Sequence, residues 1–172
     1  DAQGERVARY DKIHLFDVTL TETGERYRES DIYEPGDQVC VVDTPVGRLG
    51  MVICYDLRFP ELFRAMLDQN VELLSIPSAF TATTGRMHWE TLLRARAIEN
   101  LCYVLAPNQN GTDASGRRTW GHSAIVDPRG TIINQVKSGT GIALAEISLE
   151  RLNSLRESFP ALSHRKLGCQ LM

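Results

Sequence analysis

The sequence predicts an α/β protein in which mixed sheets are layered against helices. Three observations carry that prediction: short β-branched apolar runs recur along the chain, helical patterns separate some of the early ones, and the later ones follow one another as strands. The first run, Val7 to His14, is followed by strands expected near Val39 to Asp43 and Leu49 to Cys54. Pro60-Glu61 then opens a helix, because proline has no amide to leave unbonded in a first turn and glutamate suits its positive end. That helix is expected to run to Gln69. A strand over Glu72 to Ile76 precedes a second helix, His88 to Leu101, whose Trp89, Leu92, Leu93, Ala97 and Leu101 recur at the spacing of one buried face. Cys102 to Ala106 returns to a strand, and Asn110 to Gly116, rich in Gly, Asp and Ser, reads as a loop. Strands over His122 to Val126 and Ile132 to Val136 flank Asp127-Pro128-Arg129-Gly130. Proline presets one turn torsion there and glycine permits a positive φ, so the pair should close as a hairpin. Ile142 to Ile147 is the last expected strand, and a third helix begins near Ser148.

The 172 residues are 42% hydrophobic and 24% charged, enough apolar material for one substantial core. With no repeat, low-complexity stretch or linker, residues 1–172 are expected to form a single domain. A net charge of -3 without a dense Lys/Arg cluster argues against nucleic acid or an anionic membrane and leaves a small molecule or a protein as partner. No apolar run approaches the roughly 18 to 20 residues of a membrane helix. The polar start Asp-Ala-Gln-Gly-Glu-Arg does not read as a signal peptide, so the cytoplasm is the expected location. Cys40, Cys54, Cys102 and Cys169 form no Cys-x-x-Cys pair and suit reduced thiols better than a disulfide framework. Neither a metal nor a cofactor is implied.

In Arg48-Leu-Gly-Met-Val-Ile-Cys54, Leu49, Met51 and Ile53 share one strand face, and Gly50, Val52 and Cys54 share the other. Cys54 therefore ends a buried strand, and the residues after it turn into the Pro60 helix. This places the thiol at a strand-to-helix corner with free backbone amides nearby. Such amides stabilise anions and are expected to lower the thiol pKa from its usual value of about 8.5, raising the fraction of nucleophilic thiolate. Cysteine is also a small core filler, which is the commoner outcome when spacing alone is considered. Cys102, in Leu-Cys-Tyr-Val-Leu-Ala with no turn after it, reads as filler, and nothing singles out Cys40 or Cys169. Lys12 interrupts the strand-like run Tyr10 to Phe16, where lysine ordinarily marks a solvent face. Glu29, in the polar segment Tyr27-Arg28-Glu29-Ser30, carries no assignment alone.

Together these segments resemble the nitrilase superfamily, whose members use a Glu, Lys and Cys triad on an αββα sandwich. Lys12 in Tyr-Asp-Lys-Ile-His-Leu-Phe-Asp is similar to the family lysine, and Cys54 in Gly-Met-Val-Ile-Cys-Tyr-Asp-Leu-Arg-Phe-Pro-Glu-Leu to its nucleophile. Glu29 matches an additional glutamate that several members place in the pocket. Pro77-Ser-Ala-Phe80, the run from His88 to Asn100 and Gly121-His-Ser-Ala-Ile-Val-Asp-Pro-Arg-Gly130 extend the likeness over nearly every residue. Within the superfamily, Leu-Leu-Arg-Ala-Arg-Ala-Ile-Glu, Gly-His-Ser-x-x-Val-Asp-Pro and Phe-Pro-Ala-Leu-Ser-His-Arg look most like the deaminated glutathione amidases. The ω-amidases that act on 2-oxoglutaramate are the second choice.

The resemblance implies an amidase reaction on a small-molecule amide. Cys54 would attack the carbonyl, the Lys12 ammonium and the Tyr55 backbone N–H would hold the oxyanion, and a thioester would follow. Glu29 would orient Lys12 or the substrate. The family glutamate that moves protons belongs well upstream of the lysine, and Glu5, the sole glutamate before Lys12, sits in a Gly-Glu-Arg turn and is given no such role. The fold is thus expected to be a nitrilase-like αββα sandwich incomplete at the N-terminus, as a fragment of a longer amidase would be. A missing base costs about 10²- to 10⁴-fold, so weak turnover is expected. A non-enzymatic association module is the alternative class, in which Arg96 and Glu99 pair locally or across a homo-oligomer interface. A Cys-His hydrolase is another, although His14 and His122 read as core hydrogen-bonding groups and His88 as a capping or pocket residue.

Overall fold

The computed structural model describes residues 1–21 and 24–168, so Cys169 lies outside the described residues. In chain order its elements are β1 (Asp17–Leu20), β2 (Glu25–Arg28), β3 (Val41–Thr44), β4 (Gly47–Met51), α1 (Pro60–Leu67), β5 (Leu73–Ser75), α2 (Ala82–Asn100), β6 (Tyr103–Ala106), β7 (Asn110–Thr112), β8 (Arg118–Trp120), β9 (Ser123–Val126), β10 (Ile132–Val136) and α3 (Leu149–Ser158). One mixed sheet runs in the order β10-β9-β6-β5-β4-β3. Its inner strands β4, β5 and β6 are parallel, and the flanking pairs are antiparallel. Two antiparallel ribbons, β1-β2 and β7-β8, stand apart from it.

Alternation along the strands sorts the core. Leu74 and Val104 face α1 and α2, where Phe63, Met66, Trp89, Leu93 and Ala97 close the larger cluster. Their neighbours Leu73 and Tyr103 point the other way and meet Leu152 of α3. Arg156 latches α3 in place, donating through Nε to the Leu101 carbonyl at 3.0 Å and through Nη2 to the Val71 carbonyl at 2.7 Å. Among the described residues no helix is long and apolar enough to cross a membrane.

Helix α2 starts at Ala82, six residues before the expected start at His88. The apolar face begins only at Trp89, whereas the start is set by Thr81, whose side chain caps the Thr84 amide. His88 is thus inside the helix, 3.3 Å from Arg58 Nη1 through Nδ1, and caps nothing. The first turn of α2 holds Gly85, where an added Cβ would sit 2.4 Å from Trp120 Cβ. Alanine is the better helix former by about 1 kcal/mol. Gly85→Ala is nevertheless expected to destabilise by about 1–3 kcal/mol, because it drives α2 off β8. A denaturant titration reading a lower midpoint at unchanged slope checks this.

Two expected strands are absent. Val7 to His14 forms no strand, and its alternation instead buries Tyr10 while its neighbours stay more exposed. Ile142 to Ile147 runs along the outside with Ile142 81% exposed, tied by Asn134 Nδ2 donating to the Leu144 carbonyl at 2.7 Å. Conversely, Asn110 to Gly116 is not all loop: its first three residues are β7. The Asp127–Gly130 turn closes as a hairpin, with the Gly130 amide 2.9 Å from the Asp127 carbonyl and Gly130 at φ 82.

Arg96 and Glu99 pair within the chain at 2.7 Å. Arg96 also donates to the Leu57 carbonyl from Nε at 3.1 Å and Nη2 at 2.9 Å, so the pair acts locally, the first of the two roles considered for it, and fixes α2 against the turn after Cys54. Cys102 is filler in the core, and burial pushes its thiol up to about 12 from 9.0. The folded thiol therefore keeps its proton where the unfolded one loses it. This part of the stability is present below pH 9 and falls by about 1.4 kcal/mol per pH unit above it. Thermal melts across alkaline pH are expected to show a shallower fall for Cys102→Ala than for the unsubstituted chain.

Candidate active site

Strand β4 ends at Met51, but the ladder to the β5 side continues irregularly: the Val52 amide donates to Ser75 and the Cys54 amide to Pro77, at 3.1 and 3.0 Å. Cys54 then opens a 3-10 turn over Cys54–Arg58 that hands the chain to α1 at Pro60. Its φ of 49 lies in the left-handed region, a conformation that costs a non-glycine residue about 1–3 kcal/mol and persists only where the surroundings enforce it. The bend sets Cys54 in the wall of a cleft of about 650 Å³.

Lys12 and Glu29 line the same cleft. Lys12 Nζ donates to Glu29 Oε2, and the same oxygen accepts the Phe16 amide at 2.8 Å. Glu29 follows directly on β2, so the β1-β2 ribbon carries it to Lys12. The Lys12 side chain is only 12% exposed, which keeps its charge poorly screened. Tyr55 lies in the 3-10 turn, and its amide has no acceptor among the described residues. The structure thus brings Cys54, Lys12 and Glu29 to one cleft, with the Tyr55 amide next to Cys54 in the 3-10 turn.

The thiol differs from expectation in its ionisation. Burial pushes the Cys54 pKa up, and that outweighs the Ala79 backbone amide, the Lys12 charge and the Ser78 hydroxyl, which all pull it down; the Glu29 charge adds to the rise. The nearby amides do act in the expected direction, but the loss of water around the sulfur is larger.

Sequence reasoning missed Asp56. Fully buried, it accepts Tyr10 Oη at 2.8 Å and the Ile53 amide at 2.9 Å on Oδ2, and the His14 amide at 3.0 Å on Oδ1. His14 Nδ1 lies 2.8 Å from that same Oδ1, with its ring stacked on Phe59 at 3.6 Å. The residues two before and two after Lys12 are therefore bolted to the residue two after Cys54. A lone carboxylate between apolar neighbours at the strand-to-helix corner was the available signal. Also unanticipated were Arg117 and Arg118, which line the cleft from the β7-β8 ribbon. No histidine lines the cleft among the described residues: His122 instead lies beside Glu90, 3.3 Å from its Oε1.

Residues 1–157 match the family model of carbon-nitrogen hydrolase. A deaminated glutathione amidase of Yersinia enterocolitica is 51% identical over all of this chain, which covers 60% of that protein. The crystal structure of the Caenorhabditis elegans NitFhit protein superposes with a TM-score of 0.90 at 47% identity, over 96% of this chain and 40% of the other. A mutant of the amidase from Nesterenkonia sp. AN1, whose active-site cysteine carries acrylamide added by Michael addition, is 26% identical with a TM-score of 0.71, over 93% and 59%. The chain thus spans 60% or less of the length of these relatives. The mixed sheet with its helices is the nitrilase fold, and the chain belongs to the carbon-nitrogen hydrolase family.

Proposed function

We propose that this chain carries the nucleophile and the oxyanion-binding groups of an amidase acting on deaminated glutathione or a close analogue. The observation that carries the proposal is the convergence of Cys54, Lys12 and Glu29 on one cleft, with Cys54 held in a left-handed corner. Cys54 Sγ, once deprotonated, attacks the amide carbonyl carbon. The C–S bond forms as the carbonyl π pair moves to oxygen, and Lys12 Nζ and the Tyr55 N–H stabilise that oxyanion. The C–N bond then breaks, the amine leaves with a proton, and a thioester remains. Water adds to the thioester, the C–S bond breaks, and the carboxylic acid and free thiol are released.

Glu29 holds Lys12 in this scheme, since its Oε2 is already taken by Nζ and by the Phe16 amide. The glutamate that accepts the thiol proton is assigned to the part of the relatives' length that this chain does not span. A 51% identical relative named for deaminated glutathione supports the choice of substrate.

Acrylamide tests the nucleophile without needing turnover, as the Nesterenkonia adduct suggests. Intact-mass and peptide mapping are expected to place one acrylamide on Cys54 ahead of Cys40 and Cys102, and none there in Cys54→Ala. Equal labelling of Cys40 and Cys54 would overturn the assignment. Side-by-side assays of deaminated glutathione and 2-oxoglutaramate should favour the former, and a preference for the latter would move the substrate to the ω-amidase type.

A further inference from the structure

The β7-β8 ribbon ends in a tip whose construction serves one side chain. Asp113 Oδ1 accepts the Ser115 amide at 2.8 Å, the Ser115 hydroxyl at 2.6 Å and the Arg117 amide at 3.1 Å. The Asp113 amide also donates to the Arg117 carbonyl at 3.0 Å, closing the turn at Gly116, whose φ of 86 suits glycine. This fixes the backbone on both sides of Arg117. Its guanidinium lies 4.7 Å from the centroid of the Tyr27 ring, a residue only 8% exposed. Tyr27 precedes Glu29 by two on the opposite wall, so the arginine bridges the cleft mouth from one ribbon to the other.

The charges around that mouth are unequally committed. The Lys12 ammonium is matched by Glu29, and the Asp113 carboxylate is spent on the turn. Glu25 and Asp113 are the acids whose charge reaches Tyr27. Arg117 and Arg118 both line the cleft, and the Asp113 charge reaches the Arg117 guanidinium while its Oδ1 is taken by the turn. A guanidinium held against an aromatic face at the wall of an open cleft is an arrangement suited to receiving a planar carboxylate in bidentate fashion.

We propose that Arg117, held over Tyr27, is a specificity-determining residue that binds a carboxylate of the substrate while Cys54 engages its amide, so that the site selects anionic amides over neutral ones. This rests on the amidase reading of the same cleft. Arg118 adds to the positive potential, and Arg117 provides the directed contact.

Two Michael acceptors of one reactive type separate the questions: neutral acrylamide and anionic N-acryloylglycine. In both, the Cys54 thiolate bonds to the terminal alkene carbon, the π pair moves to the α carbon, and that carbon takes up a proton, with no leaving group. In the unsubstituted chain N-acryloylglycine is expected to label Cys54 with saturable kinetics and a preference that weakens with added salt. Arg117→Met, which keeps an apolar cover on Tyr27, should lower the second-order rate for N-acryloylglycine by about tenfold and leave acrylamide unchanged. Arg117→Lys should recover part of the loss. Equal slowing of both reagents, or of neither, overturns the proposal while the amidase reading stands. Failure of acrylamide to label Cys54 at all overturns the amidase reading and this one with it. Because Arg117 lies at an exposed tip, an unchanged melting curve for each variant confirms that the rates report the contact.

Discussion

Asp56→Ala is expected to be the most destabilising single substitution near the cleft, at about 3–5 kcal/mol. Its carboxylate is fully buried and takes hydrogen bonds from Tyr10, His14 and Ile53. Removing it strands those donors where water has little access, and each unmet donor costs about 1–3 kcal/mol before relaxation. Asp56→Asn keeps the volume but turns an NH₂ toward at least one N–H that cannot reverse its role, so it should cost less than alanine and still well over 1 kcal/mol. Tyr10 reports the same contact, since burial first and the Asp56 charge second push its hydroxyl well above the ordinary tyrosine range. Denaturant titration gives the stability change as a shift of midpoint. The functional consequence is separate: Tyr10 and His14 bracket Lys12, so even a folded variant loses the fixed distance between ammonium and thiol. If Asp56→Asn unfolds at the same midpoint as the unsubstituted chain, the buried carboxylate is not what joins the two segments.

The sequence made the sheet legible wherever strands are apolar and buried, because alternation and β-branching are local records of packing. Leu49 to Met51, Leu73 to Ser75, Tyr103 to Ala106 and the hairpin around Asp127–Gly130 all fall where expected. The two ribbons escaped notice because β1-β2 and β7-β8 contain few apolar residues, as in Glu-Arg-Tyr-Arg and Asn-Gly-Thr, and owe their form to cross-strand pairing and the contacts they make with the rest of the fold. Val7 to His14 failed in the opposite way: alternation there reflects anchoring of Tyr10, not pairing with a neighbour. At the site, Lys12 and Glu29 gained meaning only with Cys54 as a third point, since none of the three differs locally from an ordinary surface or core residue. Asp56 and Arg117 act across 46 positions and across two ribbons respectively, distances over which no local pattern speaks.

Lys12→Met is expected to slow alkylation of Cys54 at neutral pH, with the alkaline limit little changed. The buried sulfur resists ionisation, and the Lys12 charge is among the groups that draw its pKa back down. With burial the larger influence, the rate in the unsubstituted chain should climb with pH toward and beyond 9.0, the ordinary thiol value. Removing a cation that favours the thiolate moves the climb to still higher pH, so the two profiles diverge at neutrality and converge where both thiols are ionised. Glu29→Gln should do the opposite, because the glutamate charge raises the thiol pKa and ties up Nζ. A plot of the acrylamide rate against pH separates these cases from simple loss of structure, which would expose the sulfur and bring its titration toward 9.0 in every variant. Coincident profiles for Lys12→Met, Glu29→Gln and the unsubstituted chain would mean that Lys12 is electrostatically remote from the sulfur. The oxyanion role assigned to its ammonium would then fall, since a cation too distant to favour a thiolate is also too distant to hold the charge that forms two bonds away.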